Sequence, residues 1–168
     1  GHGTAAREIA VPEAPSARRE EAASPLSNTK TTLMPLLCDT GILYAVADRD
    51  DAWHGRATEF FGRQRQVLLT PVTVLPEVAY LLRTRLGHAA EKAFVDSLAA
   101  GELAVENLSS RDLARCAELL AEQPFLGLVD ASVVAIAERL KLDALVTTDR
   151  RDFSRVRPRH VEAFRLLP

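Results

Sequence analysis

Leu36-Leu37-Cys38-Asp39-Thr40-Gly41-Ile42-Leu43-Tyr44-Ala45 is the stretch that decides the fold. Three apolar residues without polar alternation read as a strand buried on both faces, the habit of strands in parallel sheets. Asp39 ends the run, Thr40 and Gly41 turn the chain, and Ile42, Leu43, Val46 and Ala47 follow at helical spacing. Outward from this unit the pattern repeats. Residues 52–63 carry Trp53, Ala57, Phe60 and Phe61 on a helical period, and Val67-Leu68-Leu69 is a second buried strand closed by Thr70-Pro71. Thr73 is expected to cap a helix running to Leu86, with Pro76 tolerated in its first turn. Further helices are expected over 89–99, from a Ser109 or Ser110 cap to 122, and over 130–141. Strands are expected over 103–108, at Ala144-Leu145-Val146-Thr147-Thr148, and within 161–167. Strands separated by helices imply parallel pairing. The expected fold is α/β, a three-layer α/β/α sandwich with a central parallel sheet over residues 34–168.

Residues 1–33 differ from the rest. Ile9, Val11 and Leu26 are their only sizeable apolar side chains before Leu33, too few to offset the entropy of ordering, so this extension is expected to be disordered. Gly1-His2-Gly3-Thr4 reads as vector-derived, and Met34, the single methionine, as a candidate natural start. The net charge of −2 excludes a strongly basic coat, so nucleic-acid contact would have to come from local patches. Cys38 and Cys116 lack metal-ligand spacing and are expected to be reduced core thiols, which fits a cytoplasmic location. No apolar run approaches membrane-spanning length, and no secretory leader is visible.

Four acids stand in unusual places. Asp39 and Asp149 lie at the carboxyl ends of expected strands, where open parallel sheets form their sites. Glu77 shares an expected inward stripe with Val74, Tyr80 and Leu81, and Asp130 shares one with Val133, Val134 and Ala137. Taken singly, each has a structural explanation: an N-cap for Asp130, a stripe edge for Glu77, a turn for Asp39, an arginine pair for Asp149. Taken together they can converge at one end of the sheet. Two carboxylates about 4 Å apart repel by roughly 4 kcal/mol at an effective dielectric of 20. A divalent cation removes that conflict, and an all-oxygen cluster suits Mg²⁺, or Mn²⁺ as the alternative. The four histidines are scattered and give no zinc spacing.

The motifs Leu37–Ala45, Pro76-Glu77-Val78, Leu128-Val129-Asp130-Ala131-Ser132 and Thr147-Thr148-Asp149-Arg150-Arg151-Asp152-Phe153 occur in that order over about 130 residues. The chain resembles the PIN domain family, and within it the VapC-type ribonuclease toxins of bacterial toxin–antitoxin pairs. The resemblance implies a metal-dependent endoribonuclease. Asp39, Glu77, Asp130 and Asp149 would be catalytic and metal-holding, with Asp152 a secondary contact and 5′-phosphate and 3′-hydroxyl ends as products. It further implies an RNA substrate, a cognate antitoxin, and a homodimer formed through early helices, here including the Trp53–Phe61 stretch. Thr40 and Thr148 flank two of the acids and are candidates to bind a carboxylate, water or phosphate.

Arg150 and Arg151, with Arg155, Arg157 and Arg159, place five guanidinium groups within ten residues of Asp149 and are candidate RNA contacts. Arg83 and Arg85 are candidates to extend that patch, and Trp53 reads as core, as dimer surface or as a base-stacking residue. Alternative readings are an RNA-processing PIN nuclease and a non-catalytic PIN-like scaffold, though scaffolds tend to lose acids and all four are present. A haloacid dehalogenase phosphatase requires a second acid two residues after the first, where this chain has Gly41. A receiver domain requires paired acids at its first strand and a lysine near its last, and neither is evident.

Overall fold

The structure is a computed structural model and describes residues 33–168. The expectation of disorder for the N-terminal extension therefore falls, apart from Leu33, outside the described residues. Twelve elements follow one another: β1 (Leu36–Cys38), α1 (Thr40–Ala47), α2 (His54–Arg63), β2 (Leu68–Pro71), α3 (Val74–Arg85), α4 (His88–Ala99), β3 (Ala104–Glu106), α5 (Ser110–Glu122), α6 (Leu128–Leu140), β4 (Ala144–Val146), α7 (Arg150–Phe153) and β5 (Arg165–Leu167). The sheet order is β3-β2-β1-β4-β5, and every neighbouring pair is parallel. Helices α1 to α4 pack on one another, as do α5 and α6, which makes the expected α/β sandwich.

The order of the strands locates the site. From β1 the chain moves to β2 and β3 on one side, then returns to place β4 and β5 on the other. The direction of winding reverses between β1 and β4, and the crevice at such a reversal is where open parallel sheets bind ligands. The two strands are in direct register, Leu37 opposite Leu145 and Cys38 opposite Val146. All six of their residues are buried, as the unbroken apolar runs predict. Each fully buried side chain of leucine or isoleucine size contributes about 1.5–3 kcal/mol of burial. Cys38 and Cys116 are free and buried in this core.

Several local expectations are corrected. Thr73 occupies the N-cap position of α3 but makes no capping bond; its hydroxyl instead meets Ser132 Oγ at 2.5 Å. Helix α6 starts at Leu128 with Gly127 as N-cap, so Asp130 sits inside its first turn and is not the cap. Strand β3 is shorter than 103–108. Ser109, of the two serines considered, caps α5 in a reciprocal box with Asp112. Helix α7 carries no expectation at all: four residues are too few to show a period.

A polar network ties α5 to α6, to the end of β3 and to the chain after α7. Arg115 makes two bonds to Glu138, at 2.8 and 3.1 Å, and Glu138 also accepts the Arg159 backbone N–H at 3.0 Å. Arg139 joins Asp112 at 3.0 Å and Glu106 at 2.9 Å. Burial raises the Glu138 and Asp112 pKa values, but their hydrogen bonds and arginine partners outweigh it and leave both below the usual carboxylate range.

Candidate active site

Asp39 leaves β1 in an extended conformation and its backbone N–H continues the ladder to the Val146 carbonyl at 3.1 Å. That geometry turns the carboxylate back over the start of α1, where Oδ1 accepts the Ile42 N–H at 3.0 Å. Oδ2 accepts a hydrogen bond from the Thr147 hydroxyl at the end of β4. The same Thr147 oxygen accepts the Asp149 N–H at 2.9 Å. Asp149 in turn caps α7, accepting the Asp152 N–H at 3.0 Å. Two neighbouring strands thus end in the same device, a carboxylate that starts the following helix, and one buried hydroxyl joins them. Thr147 went unassigned in the sequence because a threonine finishing an apolar run reads as a strand former. Its only sequence signal is its place two residues before an acid.

Gly41 makes the close approach possible. A Cβ built on Gly41 would overlap Thr148 Oγ1 and lie 3.7 Å from Asp39 Oδ1. Any side chain there would separate the first turn of α1 from the loop after β4.

The acids sense one another. Asp39 is 5% exposed and its pKa is pushed up to about 6. Burial is the main cause; the bonds from Thr147 and Ile42 oppose it, and the charges of Asp130 and Asp149 add to it. Asp130 is also raised, first by burial, then by Asp149, Glu77 and Asp152, against the Gly127 backbone N–H. Asp39, Asp130 and Asp149 therefore share one field, and Glu77 and Asp152 reach it through Asp130.

Glu77 does not lie on an inward stripe. The buried stripe of α3 is Val74, Val78 and Leu82, and both Glu77 and Tyr80 are exposed. Glu77 still faces the site, because its carboxylate accepts the Thr40 hydroxyl at 2.6 Å. Thr40 is thus placed beside an acid, and Thr148 sits over Gly41.

The arginine run is dispersed. Arg150 lies over the Trp53 ring at 5.4 Å and donates to the Pro168 carbonyl. Arg151 is exposed and pairs with Asp152 at 3.1 Å. Arg155 stacks on Phe125 at 3.9 Å, Arg157 binds the Ser154 carbonyl at 2.9 Å, and Arg159 pairs with Glu118 at 2.8 Å. Arg83 is taken by Glu91 at 2.8 Å, and Arg85 lies over Tyr44 at 5.5 Å.

The donor chemistry, carboxylate oxygen throughout, fits a hard divalent cation. Among the described residues, however, no three such side chains stand at ligand spacing. Asp39, Asp149 and Glu77 each accept a local hydrogen bond, from Ile42 N–H, Asp152 N–H and Thr40 Oγ1.

Residues 36–158 match the PIN domain family, and the chain belongs to it. The chain is 29% identical to Ribonuclease VapC26 of Mycobacterium tuberculosis (strain ATCC 25618 / H37Rv) over 135 residues, which cover 79% of this chain and all of that protein. Among solved structures it resembles Mycobacterium tuberculosis VapC20, described as a sarcin-ricin loop cleaving toxin. There the TM-score is 0.63 and the identity 24%, over 68% of this chain and 91% of that one. A toxin–antitoxin complex from Klebsiella pneumoniae matches with TM-score 0.57 and 22% identity, over 72% of this chain and 92% of that one. The two structural likenesses bear on the fold alone.

Proposed function

We propose that this protein is a VapC-type toxin, an endoribonuclease that uses Mg²⁺ or Mn²⁺ and is held in check by a cognate antitoxin in the cytoplasm. The observation that carries the reading is the shared field of Asp39, Asp130 and Asp149 at the reversal point of the sheet, in a chain of the PIN family with a ribonuclease relative. Asp39, Asp130 and Asp149 would hold the cation, with Glu77 and Asp152 at its margin. Bound there, the cation supplies the positive charge that activates water for in-line attack and offsets charge on the phosphodiester. The chain's own contribution is positional. Thr147 fixes the Asp39 carboxylate against Asp149, Thr40 orients Glu77, and Gly41 keeps the floor of the site free of side chain.

A homodimer is also proposed. Trp53, Phe60 and Phe61 pack on this chain's own core. The larger exposed apolar side chains of α3 and α4, Tyr80 and Val95, are therefore better placed to meet a partner copy. Light scattering that gives one chain mass across a wide concentration range would refute the dimer.

The test of function is cleavage of total RNA by purified protein with Mg²⁺ or Mn²⁺, with EDTA, and with Asp39→Asn and Asp130→Asn. Cleavage should require the cation and both acids, and growth arrest on expression should disappear in both variants. Cleavage that persists in EDTA, or in either variant at the wild-type rate, refutes the metal reading. A wild-type protein that binds RNA without cutting it is the scaffold alternative.

A further inference from the structure

We propose that Thr73 and Ser132 are positioning residues: their hydroxyl contact sets the spacing between Glu77 and Asp130, and through it the size of cation that the acidic cluster prefers. The inference rests on the metal-dependent ribonuclease reading and adds to it the residues that tune cation choice. Glu77 and Asp130 belong to different helices, α3 and α6, and the Glu77 charge is felt at Asp130. Their separation depends on how the two helix starts are joined. Among the described residues the Thr73–Ser132 bond, at 2.5 Å, is the one hydrogen bond between the start of α3 and α6. Its direction follows from its surroundings. The Ser132 hydroxyl lies 2.6 Å from the Val129 carbonyl, which can only accept, so Ser132 donates there and accepts the Thr73 proton.

Neither hydroxyl serves its own helix end. A threonine at an N-cap accepts from the second or third helical N–H, a bond of about 1 kcal/mol. Here the third position is Pro76, which has no N–H, and the second, Leu75, donates to the Val72 carbonyl at 3.3 Å. The sequence thus withholds the capping donors and leaves the Thr73 hydroxyl for α6. Ser132 is fully buried among Ala131, Val133, Val134 and Ala135 of its own helix, where alanine would favour the helix more. A second hydroxyl pins the other end of the same turn. Thr70, fully buried in β2, donates to the Cys38 carbonyl at 3.2 Å, next to Asp39. The turn from β2 into α3 is thereby bonded on one side to the strand that leads into Asp39 and on the other to the helix that carries Asp130. Mg²⁺ holds oxygen ligands at about 2.0–2.1 Å in near-octahedral geometry, whereas Ca²⁺ takes them at about 2.3–2.6 Å in flexible shells. A link that fixes two acids relative to each other favours the smaller, stricter ion.

Calorimetric titration of the full chain, stripped of metal with EDTA and dialysed, compares Mg²⁺ with Ca²⁺. In Ser132→Ala and in Thr73→Val the Mg²⁺ affinity should fall about tenfold, the lower end of what contacts behind metal ligands contribute, while the Ca²⁺ affinity changes little. The double variant should match either single one, because both remove the same bond. Thr73→Ser keeps the hydroxyl and should keep the wild-type preference. The Mg²⁺ concentration that gives half-maximal RNA cleavage should rise in step with the calorimetric loss. Thr73 is only half-buried, so Thr73→Val reads the link even where Ser132→Ala fails to fold. Equal losses for the two ions mean a structural role alone and overturn the proposal. So do unchanged Mg²⁺ affinity in a folded single variant, additive losses in the double variant, and a Thr73→Ser variant as weak as Thr73→Val. Wild-type protein that binds Mg²⁺ and cuts total RNA beside such a result leaves the ribonuclease reading standing; wild-type protein that binds neither ion removes both.

Discussion

The Thr147 hydroxyl donates to the Asp39 carboxylate across the seam between β4 and β1. It is fully buried, and it is also the acceptor for the backbone N–H of Asp149. Replacing it by valine keeps the shape but strands one donor and removes one of the two bonds that lower the Asp39 pKa. Thr147→Val should cost about 1–3 kcal/mol of stability. It should also shift the acidic limb of the cleavage pH profile upward, because Asp39 must be ionised to hold a cation. Thr147→Ser should restore both. Thermal melts and pH–rate profiles of the two variants check this.

The raised pKa of Asp39 makes stability pH-sensitive, with a definite sign. Its folded pKa of about 6 lies above the unfolded value of 3.8, so the folded state binds more protons between them. Stability from this group is fully present below pH 3.8 and is lost as pH rises through about 6, a loss of about 3 kcal/mol. Asp112 and Glu138 act in the opposite sense, losing stability only as pH falls through their lowered pKa values. The readout is therefore the difference between wild type and Asp39→Asn in EDTA. The variant's relative stability should rise between pH 4 and pH 7. Adding Mn²⁺ at pH 7 should stabilise the wild type and leave the variant little changed. A constant difference across that range refutes the assignment.

Gly41→Ala tests the close approach at the floor of the site. The added methyl overlaps Thr148 Oγ1, so the variant should lose about 1–3 kcal/mol and most of its cleavage activity. Thr148→Ala removes the colliding oxygen and should recover part of the stability. A double-mutant cycle on melting free energies should give a coupling of at least about 0.5 kcal/mol. Additive effects would mean that the two residues do not compete for the same space.

The Arg115–Glu138 pair offers a control distant from the chemistry. Both side chains are about nine-tenths buried and doubly bonded. Arg115→Ala leaves the Glu138 charge unpaired between α5 and α6 and should cost about 3–5 kcal/mol. Cleavage per folded molecule, measured well below the melting temperature, should stay close to wild type.

The parts of the fold governed by burial were legible. Leu36–Cys38 and Ala144–Val146 are buried on both faces, which leaves an unbroken apolar run followed within three residues by an acid, Asp39 and Asp149. What depended on direction was not legible. The spacing puts Glu77 on one stripe with Tyr80, but Val78 and Leu82 set the inward face of α3 and leave both exposed. The arginines after Asp149 are neighbours in sequence, yet their side chains go to Trp53, Asp152, Phe125 and Glu118 in different directions. Helix α7 itself is held by the Asp149 cap, a single bond that no periodicity announces. Thr147 was hidden because strand propensity and a buried hydrogen bond call for the same residue.

The double employment of Asp39 and Asp149 ties the start of two helices to the state of the site. Each carboxylate engaged with its own helix has less of itself to offer elsewhere, so drawing either oxygen toward a ligand loosens the Ile42 or Asp152 amide it now holds. These two amide protons are consequently natural gauges. Their exchange with solvent deuterium should speed up together as the site fills, turning a question about a small ion into one answerable from the backbone, with no label and no substrate.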